Sequence, residues 1–194
     1  MRYFFLLVTH CFALGLDLKG VNNLDDWTLL QDGPIIVGWQ EFQGYPISKA
    51  EMTMEYDMLS IAKLIKNIGN YPNIFKRVTD AKQLEPDIVQ IILDMPFPFA
   101  GRDYIVEYIQ FEEENSYYYQ YSAIENIKFP PYDHYVRLVN SMGEWKLTSL
   151  DQDKTQVSYT WNGELRGDFP KWALTQAWTK QSIEIFSWIE EALE

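Results

Sequence analysis

Residues 103–111 read DYIVEYIQF, residues 112–115 read EEEN and residues 116–122 read SYYYQYS. Two runs rich in Tyr, Ile, Val and Phe, separated by a short acidic segment, spell two strands joined by a turn. Glu112-Glu113-Glu114 is then a solvated turn and carries no functional weight. The strand signal extends on both sides of this pair, at Ile88 to Leu93, Tyr135 to Val139, Gly143 to Leu150 and Thr155 to Trp161. Connections that short and polar predict an antiparallel meander. Upstream, Ile35 to Phe42 reads as a strand entered from the Asp32-Gly33-Pro34 turn. Lys49 to Tyr56 alternates strictly, with Ala50, Met52, Met54 and Tyr56 on one face, as a half-buried strand does. Asp57 can cap a helix carrying Leu59, Ile61, Leu64, Ile65 and Ile68 at helical spacing, until Gly69-Asn70-Tyr71-Pro72 stops it. Downstream, Asp168 and Pro170 open a last helix whose Leu174, Trp178, Ile185, Phe186 and Ile189 form one apolar face running nearly to Glu194. The pattern predicts an α+β fold in which one large curved sheet is covered by helices, with no parallel βαβ units and no linker.

Composition agrees with one globular domain of 194 residues. At this length roughly 70% of the unfolded chain's surface is buried, so a core needs no disulfide or metal. Aromatic residues make up 16% of the chain, enough to line an internal cavity as well as fill a core. With 16 basic against 28 acidic residues the net charge is -12, which argues against nucleic acid as a partner and against standing attraction to anionic membranes.

The inventory also restricts the chemistry, because the chain has one cysteine, Cys11, and two histidines, His10 and His134. A zinc site built from His and Cys lacks ligands. A histidine-based triad would have to use His134, in the turn Pro130-Pro131-Tyr132-Asp133-His134, where an exposed loop residue is the default. Neither a Gly-x-Gly-x-x-Gly nor a phosphate-loop pattern occurs, and no cofactor is expected. The acidic residues offer many carboxylate pairs, none of them in a recognisable motif.

After Met1-Arg2, residues 3–16 carry no charge and end in Ala13-Leu14-Gly15. A positive start, an apolar stretch and a small-x-small site fit a signal peptide over residues 1–15, too short for a membrane span. The competing reading is a first helix packed on the domain. Cleavage after Gly15 would remove the cysteine and place the protein in the periplasm or outside the cell; without cleavage it would be cytoplasmic.

Three stretches resemble the START family, the StAR-related lipid-transfer domains of the helix-grip superfamily. Trp27 ahead of Asp32-Gly33-Pro34-Ile35-Ile36-Val37 resembles that family's opening helix and first strand. Pro96 to Arg102-Asp103-Tyr104-Ile105-Val106 resembles its proline-then-Arg-Asp-aromatic signature. Lys154-Thr155-Gln156-Val157 with Gly167-Asp168-Phe169-Pro170-Lys171-Trp172 resembles the last strand and the start of the closing helix. The resemblance spans residues 22–193. It implies a helix-grip fold, an antiparallel sheet gripping the C-terminal helix, with an apolar cavity between them for one lipid.

On that resemblance, the expected function is non-enzymatic binding, with or without transfer, of one hydrophobic molecule such as a sterol, phospholipid or fatty acyl compound, with brief, apolar membrane contact. Two rivals stand beside it: a helix-grip enzyme such as a polyketide cyclase-like protein or hydrolase, and a protein-binding domain whose cavity is self-filled. The expected ligand contacts are Arg102, Tyr104, Tyr118 from the Tyr117-Tyr118-Tyr119 run, Trp145, Trp161, and Trp178, Ile185 and Ile189 on the lid helix. Neighbouring strand residues point to opposite faces, so at most one of Arg102 and Asp103 can look into a cavity. Anchoring of loops is the plainer role for that pair.

Overall fold

In the computed structural model, residue 18 and residues 20–125, 128–162, 165–167 and 169–194 are described. The proposed leader and Asp168 lie outside them. The hairpin predicted over residues 103–122 is present: β6 (Arg102–Glu113) and β7 (Ser116–Ala123) pair antiparallel, with Glu113 opposite Ser116 and Val106 opposite Ala123. Glu114 takes a left-handed φ of 53° in the turn between them.

Around this pair run β1 (Thr28–Gln31), β2 (Ile35–Phe42), β3 (Tyr45–Met54), β4 (Val78–Glu85), β5 (Ile88–Leu93), β8 (Val136–Arg137), β9 (Met142–Asp151) and β10 (Lys154–Asn162). Across the sheet the order is β1-β2-β3-β10-β9-β7-β6-β5-β4, antiparallel at every step. Two meanders are thus fused where β10 meets β3, at Thr155 opposite Met54. β8 pairs parallel with the start of β6, Val136 opposite Arg102 and Arg137 opposite Asp103, so the strand expected at 135–139 shrinks to two residues beside that end of β6.

Three helices cover the inner face. α1 (Met58–Lys66) is capped as expected, the Asp57 carboxylate accepting from the Ser60 backbone N–H at 2.9 Å. It buries Ile61, Ala62 and Ile65. The Gly69–Pro72 stretch turns the chain into one further helical turn, α2 (Tyr71–Ile74), pinned by the Tyr71 hydroxyl donating to the Ile65 carbonyl at 2.8 Å. α3 (Leu174–Leu193) follows a 3-10 turn at Lys171–Ala173 and packs against β2, β3, α1 and α2. It buries Trp178, Ser182, Ile185, Phe186 and Ile189. The opening helix expected at Trp27 is instead a single 3-10 turn, Val21–Asn23; Trp27 stands just before β1, its indole N–H donating to the Leu24 carbonyl.

Sheet parity places the core. Val37, Ala50, Met54, Val106, Leu147 and Val157 all point inward and are buried. A smaller cluster of Leu18, Val21, Ile47 and Met142 holds the N-terminal segment to the opposite face. There Asn22 donates to the buried Glu144 carboxylate at 2.8 Å, and Gln120 donates to its other oxygen at 2.6 Å.

Candidate functional site

Between the inner face of β6, β7, β9 and β10 and the flank of α3 lies a cavity of about 180 Å³. Its sheet wall follows from the period of two: Tyr104 and Tyr108 on β6, Tyr121 on β7, Trp145 on β9 and Tyr159 on β10 share one face and converge. Tyr121 lies 6.3 Å from Tyr104 and 5.7 Å from Tyr108 between ring centroids, and Tyr159 stacks on Trp145 at 4.1 Å. The Tyr121 and Tyr159 hydroxyls are hydrogen-bonded to each other at 2.7 Å. Tyr71, from α2, also faces the cavity, with its proton already given to Ile65. The helix wall comes from Ala177, Gln181, Ile185 and Trp188, spaced along one stripe of α3, and two loops close the rest through Phe99 and Phe169, whose rings meet at 4.9 Å.

The wall is aromatic and uncharged on the sheet side. Charge is confined to α3 and to the ends of β4 and β5; the Arg77 guanidinium forks onto Glu184 with both N···O distances at 2.7 Å, and Lys180 stands 3.9 Å from the same carboxylate. Asp94 accepts from the Tyr135 hydroxyl at 3.0 Å. Desolvation pushes the phenols of Tyr104, Tyr108 and Tyr121 well above their ordinary value of 10, and charge on neighbouring tyrosines would push further. Tyr159 is pushed up to about 12, its burial partly offset by the hydrogen bond with Tyr121. These groups stay neutral at any physiological pH.

Three of the eight expected contacts line the cavity: Tyr104, Trp145 and Ile185. Five do not. Tyr118 points to the outer face, stacked on Phe111 at 4.7 Å with the Lys146 ammonium 5.4 Å from its ring, because hairpin register gives the inner face to its neighbours Tyr117, Tyr119 and Tyr121. Trp161, Trp178 and Ile189 are buried in the core beside the cavity, Trp178 against Trp39 at 5.9 Å. Arg102 is fully buried on the inward parity, its guanidinium donating to the carbonyls of Ala100, Leu165 and Arg166. It ties the loop before β6 to the segment leading into α3. Asp103, on the outward parity, accepts two bonds from Arg137 at 2.6 and 3.0 Å and one from Gln90 at 3.0 Å. The pair anchors loops, each partner a different one. Sequence reasoning does not single out Tyr108, Tyr121 or Tyr159; Tyr108 lies four residues from Tyr104 and Tyr159 two from Trp161, so parity is the signal for those two, whereas Tyr121 lies three from Tyr118, on the opposite face of β7.

His134 stands in an exposed turn outside the cavity. Among the described residues no cluster of three His, Cys, Asp or Glu could hold a metal ion, and no helix is long and apolar enough to cross a membrane.

No family model matches the sequence. An uncharacterised protein of Pseudomonas aeruginosa is 28% identical over 174 residues, which cover 86% of each chain. Among solved structures, a STAR-related lipid transfer protein from Xanthomonas axonopodis is similar with a TM-score of 0.76 at 18% identity, over 87% of this chain and 99% of that one. Human StAR-related lipid transfer protein 5 reaches 0.79 at 14% identity, over 90% and 91%. The Zhui aromatase/cyclase from a Streptomyces species reaches 0.54 at 14% identity, over 75% and 92%. The chain has the START helix-grip fold.

Proposed function

We propose that this chain is a non-enzymatic module that binds one hydrophobic molecule in the cavity between sheet and α3, and carries it between membranes. The observation that carries the reading is the cavity itself: an apolar, aromatic space between sheet and helix, with its charged groups held to one border. The solved relatives whose names include lipid transfer support the same reading. Size adds a condition. About 180 Å³ is close to the roughly 150 Å³ of an engineered cavity that takes one benzene, and below the roughly 300–1,000 Å³ of sites for larger ligands. A sterol or phospholipid therefore enters only when α3 or the loop at 95–101 swings outward.

Transfer needs a surface that meets lipid. Phe97 is 97% exposed and Trp172 78% exposed, one on each of the two loops that border the cavity. Aromatic side chains so placed suit the interface of an uncharged bilayer. We also expect export, with N-terminal sequencing of protein from its native host starting near residue 16; intact Met1 would overturn it.

Native mass spectrometry of the purified protein tests the binding reading. A co-purifying adduct of lipid mass, or uptake from a panel of sterols, fatty acids and phospholipids with a matching rise in Tm, supports it. A protein that neither carries nor takes up any of them has a self-filled cavity and the reading falls. The likeness to an aromatase/cyclase favours one rival, an enzyme on the same scaffold. Turnover of an aromatic or polyketide-like substrate that survives His134→Ala and is lost in Tyr104→Phe would promote it.

A further inference from the structure

Polar groups in the cavity are segregated. The charged lining residues, Arg77, Asp94, Lys180 and Glu184, sit on α3 and at the β4–β5 edge, and both cations are engaged with Glu184. The central strands contribute phenols. Tyr71 has spent its proton on Ile65, and one proton is used within the Tyr121–Tyr159 pair, whose other proton stays free. The hydroxyls of Tyr104 and Tyr108 have no hydrogen-bond partner among the described residues, although both line the cavity and both rings lie against Tyr121. Arg102, two residues before Tyr104 on the same parity, directs its guanidinium to three backbone carbonyls.

A hydroxyl that faces a cavity and has no protein partner is free to bond what enters, so this wall can meet an oxygen it does not itself supply. What it can meet is limited by charge. An anion placed against the phenols would lose its water with no cation to replace it. The environment that keeps these phenols protonated is equally hostile to a carboxylate or phosphate.

We infer that the cavity selects a neutral molecule whose polar end is a hydroxyl or carbonyl oxygen, received by the hydroxyls of Tyr104 and Tyr108. This rests on the ligand-binding reading above and narrows it to a chemical class. It excludes free fatty acids and phospholipid headgroups from the phenol wall, while leaving an alkyl or ring body free to lie along Trp145, Ile185 and Trp188.

The test compares 1-octanol, octanoate and octane by titration calorimetry at pH 8 in wild type, Tyr104→Phe and Tyr108→Phe. Phe keeps the ring and removes only the hydroxyl, so the fold is retained. The expected result is octanol binding at least tenfold tighter than octanoate, weakened about three- to tenfold in each variant, with octane affinity undiminished. Octanoate binding as tightly as octanol overturns the inference and leaves the hydrophobic cavity standing. So does octanol affinity that neither variant changes. Failure of all three probes to bind wild type overturns the inference together with the binding reading.

Discussion

Gly143 shows how one missing side chain shapes the cavity wall. It lies directly opposite Tyr121 across the β7–β9 pairing, and the tyrosine ring lies over it. A Cβ at this position would stand 2.5 Å from Tyr121 Cζ and closer still to its hydroxyl, so the ring would have to leave Tyr159. Gly143→Ala should therefore cost about 1–3 kcal/mol by overpacking, a fall of about 2–4 °C in Tm per kcal/mol on calorimetry. Tyr121→Phe should not rescue it, because the ring carbon clashes too. The phenols supply a second expectation. Their folded-state pKa values lie above the unfolded value near 10, so their contribution is complete below pH 10 and is lost as pH rises toward the folded values, about 12 for Tyr159. Urea denaturation should give constant stability up to about pH 9 and a steady loss above 10. Phenolate absorbance from the cavity tyrosines should appear only with unfolding. Residue by residue, this wall was half legible: alternation marks which strand residues share a face, but it does not say which face is inward. Tyr118 cannot be told from its neighbours by alternation alone, without the register that pairs it with Phe111.

Elements were legible where burial imposes a period. β2, β3, β5, β6, β7, β9 and β10 each carry enough apolar or aromatic residues to declare a strand, and α1 and α3 declare themselves by their stripes. The two strands that went unread, β1 and β4, are the sheet's edges. β4 reads VTDAKQLE, mixing charge into a strand that need bury only one side, and such charges also protect an open edge from pairing with another chain. On the binding function proposed above, the same edge bears on ligand exchange. Arg77, just before β4, grips Glu184 of α3 by two bonds, while the more exposed Lys76–Glu191 pair adds little. Because both Arg77 and Glu184 line the cavity, the fork is a latch between the helix and the sheet edge. Arg77→Ala should cost no more than about 1 kcal/mol in stability, since both side chains are partly solvated. Release of a bound fluorescent lipid should nonetheless become several-fold faster in stopped flow. Unchanged release would mean that the cavity opens at the 95–101 loop instead.

At the scale of the molecule, strand order was the least legible property, because the β3–β10 pairing joins residues about a hundred positions apart that nothing local marks as partners. The helix-grip architecture came into view through motif order and not through periodicity, and the cavity through neither. What the whole chain does display in its sequence is charge. A net charge of -12 repels anionic headgroups at long range, so any approach to a bilayer must be driven by local apolar contact. Phe97 and Trp172 are the exposed aromatics on the loops whose inner residues, Phe99 and Phe169, close the cavity. On the transfer function proposed above, insertion of the first pair would pull on the second and open the cavity. Transfer of a fluorescent lipid between phosphatidylcholine vesicles should then fall at least tenfold in a Phe97→Ser, Trp172→Ser double variant. Its Tm should remain within a degree or two of wild type, since neither side chain is buried. Adding anionic lipid to the vesicles should slow wild-type transfer at low salt and matter less at high salt. If the double variant transfers as fast as wild type, lipid exchange occurs through some other face, and the edge latched by Arg77 becomes the place to look.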